Sequence, residues 1–554
     1  MKLKSLALAL MVASGGAFAN ADLIFTNGDI IPMTGETDRA QAIAIKDGVI
    51  IAVGSNAEVL KEKGAQTEVR DLKGKTMAPG FIDSHAHIVN FIPFMGTQFL
   101  YPSPAGEADT MEDVTRLMTN YLATPGLDKD KVHISFGYDD SVIGRHPTID
   151  DLDPISKGFK LCLAHVSGHL ISCNSAGLAA LGYDENTPNP DGGVIRRDDQ
   201  GKMTGVLEES ATYPVMAHLT IEPSEIAQRF KEAQEVFTKN GVTTAQEGLA
   251  TKTTMQLMQH LASADLLDID ILAYPKWYEF EEIIETSPLG EYVNGLKVAG
   301  MKITSDGSPQ GKTAYLSTPY FEVPHNHAYH YHGYPIMPQE ELNEYAAIAF
   351  KHNAHLITHA NGDAAAQMLL NAVDHAIELH GDRDHRTTII HGQTMRLDQV
   401  QRAADLDMIG SFFPAHTFFW GDFHRDSVLG PWRASNISPL GWAKEFGLKY
   451  TIHMDAPVVL PNQLLNMWTA VNRSTRSGDT LGEWHKLTAY EALEAVTVTA
   501  AFQNFEENEK GSLEVGKRAD LVILGDNPLD VDPMAIKDIS VLETIKDGKT
   551  IYTL

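Results

Sequence analysis

Short apolar runs alternate with longer helical stretches through the middle of the chain. This alternation is typical of a parallel α/β fold, in which a helix returns the chain from each strand to the next. Because several runs end in polar residues, the pattern favours a (β/α)8 TIM-type barrel, whose active site lies at the carboxyl ends of the strands. The predicted barrel strands are Phe81–His87, Val242–Glu247, Ile269–Tyr274, Val298–Thr304, His355–His359, Thr387–His391, Met408–Phe413 and Lys449–Asp455.

Both ends of the chain carry shorter apolar runs separated by turn residues. Asp47-Gly48 near the start and Asp547-Gly548 near the end each lie between two such runs, which is a hairpin signal. We expect residues 20–78 and 493–554 to form one small β-sandwich, with the barrel, residues 79–492, inserted between them. Residues from about 90 to 240 are too many for a single crossover, so we expect an inserted subdomain over the barrel mouth.

Residues 1–19 have the pattern of a secretory signal peptide. Lys2 and Lys4 give a basic start, an apolar run covers residues 6–12, and Ala17-Phe18-Ala19 is a cleavage site of the A-x-A type. The apolar run is too short to span a bilayer. We therefore expect a mature chain that begins at Asn20, is periplasmic or secreted, and has no membrane association after removal of the signal.

Composition narrows the classes of partner. The chain has 554 residues and a formal net charge of −29, and this acidic excess argues against nucleic acid as a partner. We expect a small-molecule substrate, and the sequence is compatible with a homo-oligomer. The chain has only two cysteines, Cys162 and Cys173, and the sequence leaves open whether they pair or remain buried thiols.

Side chains with the chemistry of metal ligands stand at the ends of five predicted strands. His85 and His87 end the first strand, and alternation along a strand places both on the same side. His359, His391 and Asp455 end the fifth, sixth and eighth strands. Each alone is better explained as a core or surface residue. As an ordered set they predict a site for zinc or a similar divalent ion.

Lys302 belongs to the same set because it lies within the fourth predicted strand, Val298–Thr304. Burial favours the neutral form of a lysine amine. A neutral amine can react with carbon dioxide to form a carbamate, an anion that can bridge two metal ions. The alternative is a structural lysine, which reaches solvent from a strand edge or pairs with Asp306.

These residues resemble the motifs of the amidohydrolase superfamily, in the branch of N-substituted formamide deformylase-like and exoenzyme-regulator-like proteins. The resemblance spans nearly all of the predicted mature chain. It is carried by residues 80–87, 168–169 with 174–175, 204–209, Lys302 with 306–308, 358–359 with 362–363, 391–393, 455–457, 473–478 and 511–520. Two positions depart from the family pattern: Ile390 stands where a glutamate is frequent, and His453-Met454 stands where Gly-Ser is frequent.

The resemblance implies a metal centre with two zinc ions. His85, His87 and Asp455 would hold one ion, His359 and His391 would hold the other, and carboxylated Lys302 would bridge them. A divalent ion lowers the pKa of water toward about 7 and so supplies a hydroxide nucleophile at neutral pH. Asp455 is the predicted catalytic residue, which carries the water proton to the leaving amine.

The predicted activity is therefore hydrolysis of a carbon–nitrogen bond, of the amide type but not a peptide bond, in a small molecule. An ester, lactone or phosphotriester hydrolase on the same site is the alternative enzyme, and a metal-free periplasmic binding or regulatory protein is the alternative class. The predicted substrate contacts are His169, His416, Arg473 and Arg476. The two arginines suit a substrate carboxylate, or else structural pairing with acidic residues.

Overall fold

The computed structural model describes residues 20–554, except for residues 169, 191–192, 220 and 325–327. The predicted signal peptide, 1–19, and the predicted substrate contact His169 lie outside the described residues. Within the described ranges, no helix combines the length and the apolar character that crossing a membrane requires.

Strands occur throughout the described chain. They are β1 (Ala21–Thr26), β2 (Asp29–Ile30), β3 (Ala42–Lys46), β4 (Val49–Gly54), β5 (Lys63–Asp71), β6 (Thr76–Pro79), β7 (Phe81–Ile82), β8 (Val132–Tyr138), β9 (Lys160–His165), β10 (Leu170–Cys173), β11 (Gly193–Arg197), β12 (Met203–Glu209), β13 (Val242–Ala250), β14 (Asp270–Pro275), β15 (Tyr292–Val293), β16 (Leu296–Val298), β17 (Gly300–Thr304), β18 (His355–Ala360), β19 (Thr388–His391), β20 (Ile409–Phe412), β21 (Lys449–Ile452), β22 (Leu521–Leu524), β23 (Val541–Lys546) and β24 (Lys549–Thr553).

Helices separate most of these strands. They are α1 (Asn56–Val59), α2 (Met111–Leu122), α3 (Asp140–Ile143), α4 (Ile149–Ser156), α5 (Ser175–Ala180), α6 (Tyr213–Met216), α7 (Ile226–Thr238), α8 (Lys252–Ser263), α9 (Phe280–Ile284), α10 (Gln339–Lys351), α11 (Asp363–His380), α12 (Leu397–Asp405), α13 (Ala415–Phe419), α14 (Gly421–Phe423), α15 (Pro431–Ala434), α16 (Leu440–Phe446), α17 (Gln463–Asn472), α18 (Ala489–Ala495) and α19 (Val498–Gln503).

The predicted α/β class is confirmed, and the central strands form two sheets. One sheet has the order β15-β16-β14-β13-β7, in which only β15 is antiparallel, and the other is the parallel sheet β17-β18-β19-β20-β21. Single parallel bridges, Ala86 to Ala456 and Lys276 to Lys302, lie at the two junctions between the sheets. The hydrogen-bonded ladders of the described strands do not close into one continuous barrel.

The two ends of the chain supply two further sheets. Their orders are β4-β3-β1-β5 and β2-β6-β22-β23-β24, so the second sheet contains strands from both ends. A buried apolar cluster draws on strands of both sheets, and Phe25, Ile43, Leu521 and Ile545 are among its members. Both predicted Asp-Gly hairpins are present, because β3 pairs with β4 and β23 with β24. Asp47 and Asp547 have φ values of 49° and 50°, the left-handed conformation that such turns require.

The predicted insertion contains a sheet of its own, β11-β12-β10-β9-β8. The question that the sequence left open about its cysteines is answered here, because Cys162 and Cys173 are opposite residues on β9 and β10 and form a disulfide. Two contacts connect this segment to the loops beside the strand ends: the Tyr101 hydroxyl donates to the Pro457 carbonyl, and Arg476 Nη1 donates to the Ser103 carbonyl at 2.8 Å. The domain boundaries themselves stay predictions.

Candidate metal centre

His85 and His87 follow a strand much shorter than the sequence predicts. The strand β7 ends at Ile82, and the two histidines lie in the segment beyond it, where Ala86 forms a bridge with Ala456. The chain leaves the terminal sheet at Pro79 and enters β7 at Phe81. Gly80, between them, is a close approach that leaves no room for a side chain, because a Cβ there would lie 2.5 Å from the Thr243 side chain. The predicted same-side placement therefore comes from the loop and not from strand alternation.

Two of the predicted ligands have left-handed backbone conformations. His391 has a φ of 73° and Asp455 a φ of 52°, although neither is a glycine. Such a conformation costs roughly 1–3 kcal/mol for an ordinary residue and persists only where the surrounding structure enforces it. Strain of this kind concentrates at functional sites, and here it falls on the last residue of β19 and on the turn after β21.

The carboxylate of Asp455 lies between three histidines. Its Oδ1 atom is 3.3 Å from His87 Nε2 and 3.5 Å from His85 Nε2, and its Oδ2 atom is 3.8 Å from His391 Nε2. Ligand atoms about 2.0–2.1 Å from one tetrahedral ion are about 3.3 Å apart, so the spacing at Oδ1 is that of ligands of one ion. Consistent with this, Oδ1 has no hydrogen-bond partner among the described residues.

Neighbouring side chains orient the ring nitrogens that face away from Asp455. Gln246 Oε1 is within hydrogen-bonding distance of His85 Nδ1 at 3.3 Å, whereas Glu247 Oε1, 3.8 Å from His87 Nδ1, makes an electrostatic contact without a hydrogen bond. Glu247 is held in place because its other oxygen accepts the Val89 N–H at 2.9 Å. Such outer partners fix the orientation of metal-binding imidazoles and leave the other nitrogen to the ion.

His359 is oriented in the same way by Asp306, in the loop after β17, and by Asn361, directly after β18. Its Nδ1 atom is 3.1 Å from Asp306 Oδ1, and the Asn361 amide nitrogen is 3.2 Å from its Nε2. Asp306 is buried and also accepts the backbone N–H groups of Asn361 and Gly362 at 3.0 and 2.8 Å. Asp306 therefore places the His359 proton on Nδ1, and Nε2 carries the lone pair, which accepts from the Asn361 amide here; an ion bound at Nε2 would take the place of that donor.

Lys302 lies beside the histidines. It is 2% exposed, and its Nζ atom is 3.1 Å from His85 Nε2. Burial lowers the pKa of Lys302 to about 7, so that a substantial fraction of the amine is neutral at physiological pH. The alternative partner from the sequence, Asp306, binds His359 and backbone N–H groups instead.

The three histidines around Asp455 differ in the direction of their pKa shifts. Burial holds the pKa values of His85 and His391 well below the usual range. Burial also opposes the charge of His87, but Asp455 and Glu247 outweigh it and raise the pKa of His87 to about 9. Burial likewise opposes the Asp455 charge, but the contact with His87 and the other histidines keep its pKa well below the usual range. His85 and His391 are thus available as neutral ligands and Asp455 as an anion.

The residues present fit a divalent cation. One atom each of His85, His391 and Asp455 lies within 4.8 Å of the other two. His391 Nδ1 and Asp455 Oδ1 are buried polar atoms without hydrogen-bond partners among the described residues. Buried polar atoms are almost always satisfied in folded proteins, so unpartnered atoms on adjacent side chains fit a bound cation. The donors, histidine with carboxylate, suit zinc and related ions.

A second group of metal-type side chains lies in the insertion, and its hydrogen bonds argue against an ion there. It consists of Asp139, Asp140 and His165. His165 Nδ1 accepts the Ser167 N–H at 3.1 Å, so the ring proton lies on Nε2, which is 2.9 Å from Asp140 Oδ1. Both ring nitrogens are thereby used.

The predicted substrate contacts have different surroundings. His416 is buried, with its Nδ1 atom 3.1 Å from His424 Nε2. Burial lowers the pKa of His416 well below the usual range, and the Asp455 charge acts in the opposite direction. Arg473 differs from both sequence interpretations. It is fully buried, and its guanidinium donates to backbone carbonyls rather than to a carboxylate.

Arg476 keeps free donors. Its guanidinium lies 5.1 and 5.2 Å from the ring centres of Phe418 and Phe419, and Nη1 donates to the Ser103 carbonyl. Its Nε and Nη2 atoms have no hydrogen-bond partner among the described residues. Of the two predicted arginines, it is the one with whole nitrogen atoms left without a partner, whereas each nitrogen of Arg473 donates to a carbonyl.

Sequence reasoning missed the outer partners Gln246, Glu247 and Asp306, and it missed His453 as a member of the site. Signals for three of them were present, because Gln246 and Glu247 end a predicted strand and Asp306 follows another. His453 was noted only as a departure from the family pattern. Ile390, the other departure, packs in a buried apolar cluster with Leu272, Tyr274 and Ile357.

A mixed α/β fold with histidine, carboxylate and lysine side chains converging at strand ends defines a metal-dependent hydrolase. The chain matches the model of the amidohydrolase family over residues 68–552, and it belongs to that family. This confirms the resemblance found in the sequence.

Individual relatives match along nearly the whole chain. The N-substituted formamide deformylase of Arthrobacter pascens is 26% identical over 96% of this chain and 98% of its own length. The putative amidohydrolase YtcJ of Bacillus subtilis (strain 168) is 27% identical over 96% of this chain and 99% of its own. A metal-dependent hydrolase of Pyrococcus horikoshii OT3, known as a crystal structure, has a TM-score of 0.73 at 22% identity and covers 92% of this chain and 99% of its own. The likeness to that structure concerns the fold.

Proposed function

We propose that this protein hydrolyses an amide-type carbon–nitrogen bond, other than a peptide bond, in a small molecule. The observation that carries the proposal is the convergence of His85, His87 and His391 on the Asp455 carboxylate beside Lys302. The name of the Arthrobacter pascens relative points to N-substituted formamides as the first substrates to test.

The roles proposed for the residues are those that the resemblance to the amidohydrolase superfamily implies. His85, His87 and Asp455 would hold one divalent ion and His359 and His391 a second, with carboxylated Lys302 between them. When bound, the ions would supply an activated water and polarise the scissile carbonyl. Asp455 would accept the proton of that water and deliver it to the leaving nitrogen, because an amine leaves poorly as an anion. Arg476 would contribute its unpartnered Nε and Nη2 to substrate binding.

Three further parts of the proposal concern the architecture and location. The eight predicted barrel strands would form a (β/α)8 barrel, which the bridges at both sheet junctions support. The terminal sheets would pack as a β-sandwich, supported by their shared apolar cluster. The chain would be exported by the predicted signal, residues 1–19, with the insertion covering the mouth of the barrel.

The test is the variant Asp455→Asn, which keeps the shape of the side chain but removes its basicity. We expect turnover of a cleaved formamide or amide to fall by about 10²- to 10⁴-fold, the usual contribution of a general acid–base group. The assay measures release of the free amine, and the metal content and unfolding curve of the variant show whether the site is otherwise intact. Full turnover in a folded, metal-loaded variant would refute the role of Asp455.

The substrate panel includes esters, lactones and phosphotriesters, because the same activated water can attack those centres. Turnover of these compounds alone would assign the protein to the alternative class of hydrolase. Absence of divalent metal from the purified protein, even after incubation with zinc, would favour a binding or regulatory protein over an enzyme.

A further inference from the structure

His453 is a fully buried histidine without a hydrogen-bond partner. Its exposure is 0%, and neither Nδ1 nor Nε2 has a hydrogen bond of good geometry with any described residue, although the Ser411 backbone lies close enough to act on its pKa. A buried donor or acceptor left unsatisfied destabilises the folded state, because its hydrogen bonds to water are lost and not replaced. An imidazole with both nitrogens in this state is therefore a strong sign that something outside the polypeptide binds it.

The position of His453 is fixed by the strand that precedes it. It directly follows β21, and its backbone N–H continues the ladder by donating to the Phe412 carbonyl at 3.0 Å. Two residues further on, the same segment supplies Asp455. The ring of Phe413, 5.0 Å away between centres, packs against the imidazole.

The His453 ring lies between the two halves of the metal centre. Its ring centre is 5.3 Å from that of His85 and 5.0 Å from that of His391. Within the two predicted ligand pairs, the corresponding distances are 5.0 Å for His85 and His87 and 4.6 Å for His359 and His391. The His453 ring is thus only 0.3 Å (5.3 against 5.0 Å) and 0.4 Å (5.0 against 4.6 Å) farther from one member of each pair than the paired ligands are from one another.

We propose that His453 is a further ligand of the metal centre, additional to the six residues that the sequence predicts. The inference rests on the proposed metal-dependent function. It also gives the metal centre of this chain an additional imidazole, because the family frequently has Gly-Ser where this chain has His453-Met454. An added imidazole favours ions such as Zn²⁺, Co²⁺ and Cu²⁺ over Mg²⁺ and Mn²⁺, which prefer oxygen ligands.

The test measures metal binding without reference to activity. Wild type and His453→Ala are freed of metal with a chelator and titrated with Co²⁺, whose visible absorption reports the ligands, and with Zn²⁺ against a competing chelator. We expect the affinity of the variant for one or both metal equivalents to fall by about tenfold or more. Even residues that only support metal ligands contribute 10- to 100-fold to metal affinity. We also expect its Co²⁺ spectrum to change, and added imidazole to restore part of it.

A matched control is His355→Ala. His355 is also a buried histidine of this parallel sheet, but the protein satisfies both of its nitrogens, with Tyr274 Oη at 2.8 Å from Nδ1 and the Arg386 carbonyl at 2.9 Å from Nε2. We expect this variant to lose stability and to keep the metal affinity and the Co²⁺ spectrum of wild type.

The outcomes separate the inference from the function on which it rests. If wild type binds metal and folded His453→Ala binds it with the same affinity and spectrum, the ligand role is refuted and the hydrolase proposal stands. If wild type binds no divalent metal, the proposed function fails first. Should His453→Ala not fold, X-ray absorption of zinc-loaded wild type counts the imidazole ligands instead. The proposal requires five, one more than the four that the sequence predicts, and a count of four would refute it.

Discussion

Removal of the Arg473 side chain tests whether this residue serves the fold or the substrate. Its guanidinium is fully buried and donates to the carbonyls of Leu481, Ser438 and Ile437 at 3.0, 3.1 and 2.7 Å. Burial lowers the pKa of Arg473 to about 9, so the group is still a cation at neutral pH. Each of its three nitrogens therefore donates to a backbone carbonyl, and the group is closed off from solvent and from a substrate carboxylate.

The expected cost follows from these contacts. The variant Arg473→Ala leaves three carbonyls buried without a donor, each at about 1–3 kcal/mol, which gives roughly 3–9 kcal/mol. We expect a loss in the lower half of this range, because the space left by a guanidinium is large and polar enough to admit water. Arg473→Lys should recover only part of the loss, since one ammonium group cannot match the planar fork that spans three carbonyls.

The assay compares the urea midpoints of wild type and variants by tryptophan fluorescence, with KM determined for any substrate found. Arg476→Ala is the matched control, because this arginine donates to one carbonyl and leaves Nε and Nη2 unpartnered. We expect Arg473→Ala to lower the midpoint and Arg476→Ala to raise KM. An unchanged midpoint together with a raised KM in Arg473→Ala would refute the structural role.

Two further predictions concern the metal centre and acid stability. Lys302→Ala is expected to reduce the metal content from about two divalent ions per chain to one or none, measured by elemental analysis, and an unchanged content would make Lys302 structural. Burial lowers the pKa of His355 from 6.5 to about 3, so the folded state binds fewer protons between these values and stability falls as the pH falls. Its contribution is up to about 1.4 kcal/mol per pH unit below 6.5, so His355→Gln should lose less stability than wild type between pH 7 and 5, and equal losses in urea unfolding would contradict this.

The sequence predicted the α/β class and the order of the strands because apolar runs of strand length are bounded by polar residues. Each predicted barrel run contains or overlaps a strand of the two central sheets. The strand ends were predicted less well at the site itself. β7 ends at Ile82 and β21 at Ile452, several residues before the ligands that were assigned to them. Left-handed turns and isolated bridges, which place His85 and Asp455, leave no periodic pattern in the sequence.

The side chains that contact the metal ligands could not be predicted from the sequence for a different reason. Glu247 meets His87 at an isolated antiparallel bridge beyond β7, and Asp306 meets His359 because the parallel register of β17 and β18 brings their ends together. Arg473 shows the same limit, since its sequence context does not distinguish a carboxylate partner from buried carbonyls. Residue type and order predicted the ligand set, but the hydrogen-bond partner of each ligand depends on the tertiary structure.

The junction between β7 and β21 explains how these separate segments keep a ligand geometry. No strand ladder joins them, yet His85 and His87 follow one strand and Asp455 follows the other. Gln503, fully buried at the end of α19, connects the two: its amide donates to the Ser84 carbonyl at 3.0 Å, and its oxygen accepts the Thr451 hydroxyl at 2.6 Å. Because the spacing of Asp455 from His85 and His87 depends on this junction, a residue near the carboxyl end of the chain helps to position ligands on both sides of the metal centre.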